Sequence, residues 1–240
     1  SHDKGRTWNV IKETFEKDCG YDVYFQVLNA KDYGIPQSRE RIYCIGFKNE
    51  TEFKYPAPIK LDKTVYDFLQ NRFDKKYLLK QKGVHFITRA INYQKSYTQV
   101  NGNIILCQKR NQQFNWHGDF VYHPKLKEDT STPEIDQNLF KVADFEEDYY
   151  LQNNPAKYAI KREGDEEMMF KASDKEICPS DGRFRKLTPR ECLRLMGFDD
   201  TFNIVVSDTE TYKQAGNSIV VNVLMALLRK IDITKYGTDI

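Results

Sequence analysis

The chain has 240 residues, 40% of them hydrophobic, which supplies a real core for one large or two small domains. No apolar run approaches the roughly 18 to 20 residues of a membrane span, and Ser1-His2-Asp3-Lys4 lacks the charged-then-apolar order of a signal peptide. A net charge of +2 excludes a globally basic nucleic-acid binder, so any nucleic-acid surface must come from local segregation of charge.

Trp8, Ile11 and Phe15 fall at i, i+3 and i+7, which predicts a helix from about Thr7 to Asp18 stopped by Gly20. Tyr21 to Leu28 alternates Val23, Phe25 and Val27 against Asp22 and Gln26, and Ile42 to Phe47 is mostly apolar and rich in strand formers. Both read as strands, the second more deeply buried. Between them, Gly34 permits a positive φ and Pro36 forces Ile35 out of helical geometry, giving an ordered loop that delivers Gln37, Arg39 and Arg41 to one place.

From about Glu50 to Asp181 the texture changes to frequent tyrosine, lysine, asparagine and glutamine with weak apolar periodicity, as in a separate small domain or a large insertion. Lys125 to Asn138, with Pro133 inside it, reads as an exposed loop. Regularity returns with Thr188-Pro189-Arg190-Glu191, a capping-box pattern that starts a helix running to about Met196 and ended by Gly197. Val220, Val223, Leu224, Leu227, Leu228 and Ile231 trace one face of an amphipathic helix after Gly216-Asn217-Ser218.

Cys19, Cys44, Cys107, Cys178 and Cys192 are odd in number, scattered and without Cys-x-x-Cys spacing, so neither a disulfide framework nor a zinc site is expected, and a reducing cytoplasm fits best. His85, His117 and His123 lack ligand-like neighbours at short spacing, so no metal site is expected. Acids collect in Asp144 to Asp148 and Asp165 to Glu167, whereas Arg183, Arg185, Lys186, Arg190 and Arg194 form a basic block; each cluster taken alone is also what a solvated face looks like.

Arg39 and Arg41 are two apart at the mouth of a strand and so project to the same side, where two guanidiniums could hold a phosphate or donate to a base carbonyl. The plain alternative is a pair of strand-end surface arginines. Gly216-Asn217-Ser218, placed at the start of a helix, would offer free N–H groups and a positive dipole end to an anion, or would simply cap the helix. Arg190 and Arg194, at i and i+4, suit phosphates or a surface salt bridge equally. Lys109, Arg110, Gln112, Gln113 and Asn115 concentrate the side chains that read base edges in the major groove, with Phe114 and Trp116 as anchors or wedges; a polar loop with an aromatic core contact is the alternative.

Taken together, Gln37-Ser38-Arg39-Glu40-Arg41, the run from Arg185 to Phe198 and Gln214-Ala215-Gly216-Asn217-Ser218 resemble, in order, motifs in the C-terminal half of DNA (cytosine-5) methyltransferases of the bacterial restriction-modification type. The resemblance covers about residues 1 to 48 and 184 to 231. It implies an α/β fold: part of a Rossmann-like S-adenosylmethionine-dependent methyltransferase fold plus a small mixed target-recognition domain. Residues 1–49 would then be the C-terminal part of the catalytic-domain sheet, 50–183 the target-recognition domain, and 184–240 the return to the catalytic domain with its C-terminal helix.

By the same resemblance Arg41 approaches O2 of a cytosine flipped out of duplex DNA, Arg39 the neighbouring phosphates, and Gln37 belongs to the same DNA-binding motif. Asn217, Ser218 and Ile219 close over the amino-acid end of S-adenosylmethionine, with the Ser218 hydroxyl near the flipped nucleotide, and Phe198 lines the cofactor site. In the family a cysteine of a Pro-Cys pair attacks cytosine C6 and a glutamate of a Glu-Asn-Val motif supports protonation at N3. Neither is found: none of the five cysteines follows a proline, and Cys178-Pro179 has the reverse order.

Ser1 to Gly5 resembles the segment just behind the Glu-Asn-Val motif, so the cofactor site is expected to be incomplete and the chain inactive alone. It would be a C-terminal portion, working with the N-terminal catalytic half of the same enzyme; one subunit of a split enzyme, working with a separate catalytic subunit; or a catalytically inactive sequence-specific DNA-binding module. A bacterial cytoplasmic, nucleoid-associated location follows from the resemblance. The six apolar residues of the last helix are expected to lack part of their cover without a catalytic half.

Overall fold

The computed structural model describes residues 5–49, 51–87, 97–111, 117–123, 158–163, 166–171 and 183–231. Helix α1 (Arg6–Glu13) starts after Gly5 and widens into a π turn over Thr14–Asp18, close to the predicted span, and Gly20 adopts φ +67° just beyond it. Strands β1 (Asp22–Asn29) and β2 (Glu40–Phe47) pair antiparallel, with Asp22 opposite Phe47 and Asn29 opposite Glu40. Their inner face carries Leu28, Tyr43 and Phe47 into the core. Their outer face carries Val27 (58% exposed), Ile42 (49%) and Phe25 (44%), and Trp8 and Lys12 of α1 lie against Phe25. The second strand is therefore not the more deeply buried one: each strand has a covered and an uncovered side, as alternation across a half-covered pair dictates.

The β1–β2 connection is ordered, as its sequence predicts. Asn29 Oδ1 accepts from Lys31 N and Arg39 N, closing a 3-10 turn (Ala30–Tyr33), and Gly34 caps that turn at φ +82°. Asn222 Nδ2 donates to Tyr33 O at 3.1 Å, so the loop is also held from the far end of the chain.

Two apolar clusters follow. The larger joins Leu28, Tyr33 and Ile35 to Phe53, Val65, Leu69 and Phe73, and to Leu193, Met196 and Tyr212. Residues 53–73 thus share the core of the flanking segments, although the expected division fell at 49/50. The smaller contains Val84 and Ile87 of α2 (Gln81–Ile87) with Phe120, Tyr122 and Phe184. Strand β4 (Gly118–His123) separates them, since Val121 faces the larger cluster and Phe120 and Tyr122 the smaller. It runs parallel to β3 (Thr98–Val100) and antiparallel to β7 (Arg183–Lys186), and β5 (Tyr158–Glu163) pairs with β6 (Glu166–Lys171) as a hairpin. The predicted loop at Lys125 to Asn138 lies outside the described residues.

Helix α3 (Pro189–Arg194) begins as its capping box predicts: Thr188 Oγ1 accepts from Glu191 N, and Glu191 Oε2 accepts from Thr188 N at 2.8 Å. Gly197 ends the following turn at φ +87°. The last third departs from its sequence reading. Gly216 and Asn217 end a helix, α4 (Asp208–Asn217), and the next, α5, spans Val221–Leu228. Val220, Val223 and Leu227 are 4% exposed or less, so the face expected to lack cover is mostly packed; Leu228, at 46%, is not. Apolar exposure collects instead on α1 and the outer face of β1–β2. No helix among the described residues is long and apolar enough to cross a membrane.

Asp119 is 4% exposed and takes the Leu106 N–H on both oxygens, at 3.2 and 3.1 Å. Burial holds its carboxyl well above the usual carboxylate range, the Leu106 bond countering only in part. A folded pKa raised above the unfolded one gives stability that is complete below the unfolded pKa and lost as pH rises through the folded one. Asp119→Asn keeps an acceptor for Leu106 and cannot ionise. Its stability relative to the parent should therefore grow in urea titrations as pH rises above the ordinary carboxylate range. A difference independent of pH would sink this account.

Candidate DNA and cofactor site

The first motif folds inward more than its sequence suggests. Gln37 is fully buried: Nε2 donates to Leu195 O at 2.7 Å, and Oε1 accepts from Gln108 N at 3.1 Å. It splints the loop to the end of α3 and to the segment before Lys109 instead of meeting DNA. Arg39 is 5% exposed, with Nη1 donating to Gln108 O (2.7 Å) and Nη2 to Gly216 O (3.1 Å) and Ser218 O (2.8 Å). Burial pulls its pKa down, yet a guanidinium stays charged at any ordinary pH. A phosphate contact does not suit a side chain whose terminal nitrogens are committed to carbonyls; its Nε is buried without a hydrogen-bond partner.

The Gly216-Asn217-Ser218 turn meets Arg39 as the end of a helix, where its sequence suggests a helix start. Gly216 lies in the last turn of α4, where carbonyl oxygens lack helical partners and the dipole is negative, so the turn calls for a cation. Gly216 is required for a second reason. A Cβ there would fall 2.6 Å from Lys109 O, and closer still to Lys109 C and Arg110 N, so the end of α4 rests directly on the Lys109–Arg110 backbone.

Arg41, on the same side of the chain, is exposed, with Nη1 donating to Glu40 O at 2.6 Å and Nη2 to Cys107 Sγ at 3.3 Å. Arg39 Nη1 reaches the same sulfur at 3.5 Å. Cys107 was invisible as a site residue because nothing in its spacing marks it. The bridge between Gln37 and Ile105 is what carries it to the two arginines.

Lys109 and Arg110 are exposed beside this knot, whereas Gln112, Gln113 and Asn115 lie outside the described residues, with Phe114 and Trp116. Three arginines of the basic block further on are engaged within the chain. Arg185 is fully buried against Glu191, Arg194 holds Asp200 at 2.7 and 2.6 Å and the carbonyls of Phe68 and Leu69, and Arg190 reaches Asp199 O. The structural reading of α3 thus prevails over phosphate binding.

At the edge next to α4, Asn217 is exposed, Ser218 half-buried and Ile219 43% exposed. Val221 N donates to Met196 O at 2.9 Å, which ties the chain just after the Asn217–Ile219 turn to the segment that leads into Phe198, itself half-buried and packed on Phe202 at 4.8 Å. Polar groups on a turn beside two apolar surfaces suit an amphipathic small molecule.

This α/β architecture is that of known methyltransferases. Entamoeba histolytica methyltransferase EhMeth superposes with a TM-score of 0.56 at 14% identity, over 93% of this chain and 57% of that one. The S. pombe Dnmt2 methyltransferase does so at 0.53 and 16%, over 95% and 62%. Among curated relatives, type II methyltransferase M.SsoII of Shigella sonnei is 34% identical over 96% of this chain and 49% of its own length, and M.NlaX of Neisseria lactamica 32% over 96% and 58%. The family described as C-5 cytosine-specific DNA methylase matches residues 1–232, and the chain belongs to that family. It spans about half the length of the curated relatives it matches.

Proposed function

We propose that this chain is the C-terminal portion, or a subunit, of a DNA (cytosine-5)-methyltransferase of a restriction-modification system. It binds duplex DNA, reads a target sequence and helps to hold the flipped cytosine and S-adenosylmethionine. The observation that carries this reading is the contrast within one motif: Arg39 is buried as a scaffold, and that scaffold presents Arg41, two residues on, as an exposed guanidinium. Arg41 can donate to the cytosine O2 and draw electron density from the ring, so that C6 accepts a nucleophile more readily. Ser218 offers a hydroxyl to the same nucleotide. Lys109 and Arg110, with Gln112, Gln113 and Asn115 beyond them, supply base-edge contacts.

Phe198, Asn217, Ser218 and Ile219 fit the amino-acid end and an apolar flank of S-adenosylmethionine, which when bound supplies the methyl group that cytosine C5 receives. The nucleophile comes from a catalytic half that carries the Pro-Cys pair. Cys107 is preceded by leucine, and its sulfur accepts from Arg39 and Arg41, which steadies the arginines. The outer face of β1–β2 with α1, where Val10, Phe25, Val27 and Ile42 are exposed, is where that half would pack.

Losing a charged hydrogen bond costs about 1.5 to 3 kcal/mol, or roughly ten- to more than a hundredfold in the affected step. Arg41→Ala in the active enzyme should lower turnover by that factor with a smaller effect on duplex binding; equal small losses in both would mark a surface arginine. Incubated alone with labelled S-adenosylmethionine and duplex DNA, the chain should leave the DNA unlabelled, and in the active enzyme Cys107→Ser should keep turnover within about threefold, a serine hydroxyl still accepting from both arginines. Label transferred by the chain alone and abolished by Cys107→Ser would make Cys107 the nucleophile. In sedimentation the chain should associate with the catalytic half, and Phe25→Asp with Val27→Asp should prevent it. A chain that stays monomeric and indifferent to that half would favour a stand-alone DNA-binding module.

A further inference from the structure

Two segments with different proposed tasks, the DNA-reading stretch at Lys109–Arg110 and the base- and cofactor-holding turn at Asn217–Ser218, meet through one side chain. The two ends of the Arg39 fork serve them separately. Nη1 donates to Cys107 Sγ and Gln108 O, and Nη2 to Gly216 O and Ser218 O. The guanidinium is planar and delocalised, so the angle between its two sets of bonds is fixed; moving Gln108 must tilt the fork and disturb the carbonyls on the other side, or break bonds in a buried place. The backbones also touch without an intermediary, since Gly216 leaves no room for a Cβ against Lys109 and Arg110. Gln37 accepts from Gln108 N and donates to Leu195 O, which ties the same residue to the end of α3.

We propose that Arg39 is a positioning residue that couples target reading to the geometry of the Gly216–Ser218 turn. Methyl transfer is fast only when the correct DNA sequence seats residues 108–110 and, through Arg39, sets that turn. The inference rests on the DNA-reading role proposed for Lys109 and Arg110. It predicts that sequence discrimination shows up in the rate of the bound complex as well as in binding, as induced fit requires.

The test uses the active enzyme that contains this chain, with Arg39→Lys, Arg110→Ala and the double variant, on the target duplex and on one with a single altered base pair. A lysine keeps the charge but cannot span both segments. In Arg39→Lys, kcat on the target duplex should fall about tenfold or more, with KM for DNA nearly unchanged. The ratio of kcat on target to altered duplex should collapse as well; this ratio does not depend on how much of the protein is folded. Arg110→Ala alone should relax the same ratio, and adding it to Arg39→Lys should change the ratio no further, since contacts that act as one unit do not add.

If Arg39→Lys keeps the ratio while Arg110→Ala relaxes it, the coupling is overturned and the DNA-reading role stands. If Arg110→Ala leaves the ratio intact, the reading of that segment falls and the coupling with it. A raised KM with a flatter salt dependence and unchanged kcat would make Arg39 a phosphate ligand. Should Arg39→Lys fail to fold, Gly216→Ala, which forces the same two segments apart without removing charge, carries the same comparison.

Discussion

Glu191 collects four donors in the dry interior. Arg185 meets it with two parallel bonds at 2.7 and 2.9 Å, and the backbone amides of Thr188 and Gln70 each donate at 2.8 Å. Neither charged side chain has any exposed surface. Two ions taken out of water are tolerated only when every lone pair and proton is used, and here the two oxygens are shared among partners on β7, the start of α3 and the chain near Gln70. Phe73 covers the guanidinium face at 4.5 Å. Removing one member of such a pair strands the other, at about 3 to 5 kcal/mol. The knot fixes the angle at which α3 leaves β7, and with it the positions of Leu195, Met196 and Phe198.

A second buried cation has a different solution. Arg39 is held by carbonyl oxygens of the backbone, two of them at the end of α4, and by a thiol. Arg185 ties β7 to the start of α3 and to the chain near Gln70, whereas Arg39 joins the first motif to Gln108 and to the end of α4. The two arginines explain why a chain with little net charge can concentrate cationic character at one place: Arg41, Lys109 and Arg110 remain exposed around Arg39, while Arg185, Arg190 and Arg194 are consumed by acids and carbonyls.

The sequence made some of this plain. Thr188-Pro189-Arg190-Glu191 states a helix start in local terms, and Gly34 and Gly197 mark positive φ because few other residues adopt it. What failed were readings that needed a partner from elsewhere. Gly216-Asn217-Ser218 looks locally like a helix opening, and only Ser207, whose side chain caps Glu210 N, announces that the helix had already begun. Arg39 and Arg185 look like surface cations until the carbonyls and the carboxylate that receive them come together in space. Cys107 and Asp119 carry no local signal, since their surroundings are made by strand pairing. The apolar stripe on α5 is plain in its periodicity, but most of its cover comes from within the chain, and the uncovered face lies on β1 and β2.

Strands β4 and β7 pair so that His123 stands directly opposite Arg183. Residues 123 and 183 are thereby held at a single rung of the ladder, next to the wall between the two apolar clusters. For a loop whose ends are pinned in this way, each doubling of length costs only about 0.6 kcal/mol. Evolution could lengthen, shorten or replace that stretch almost freely while the frame around Arg39 and Glu191 stayed intact.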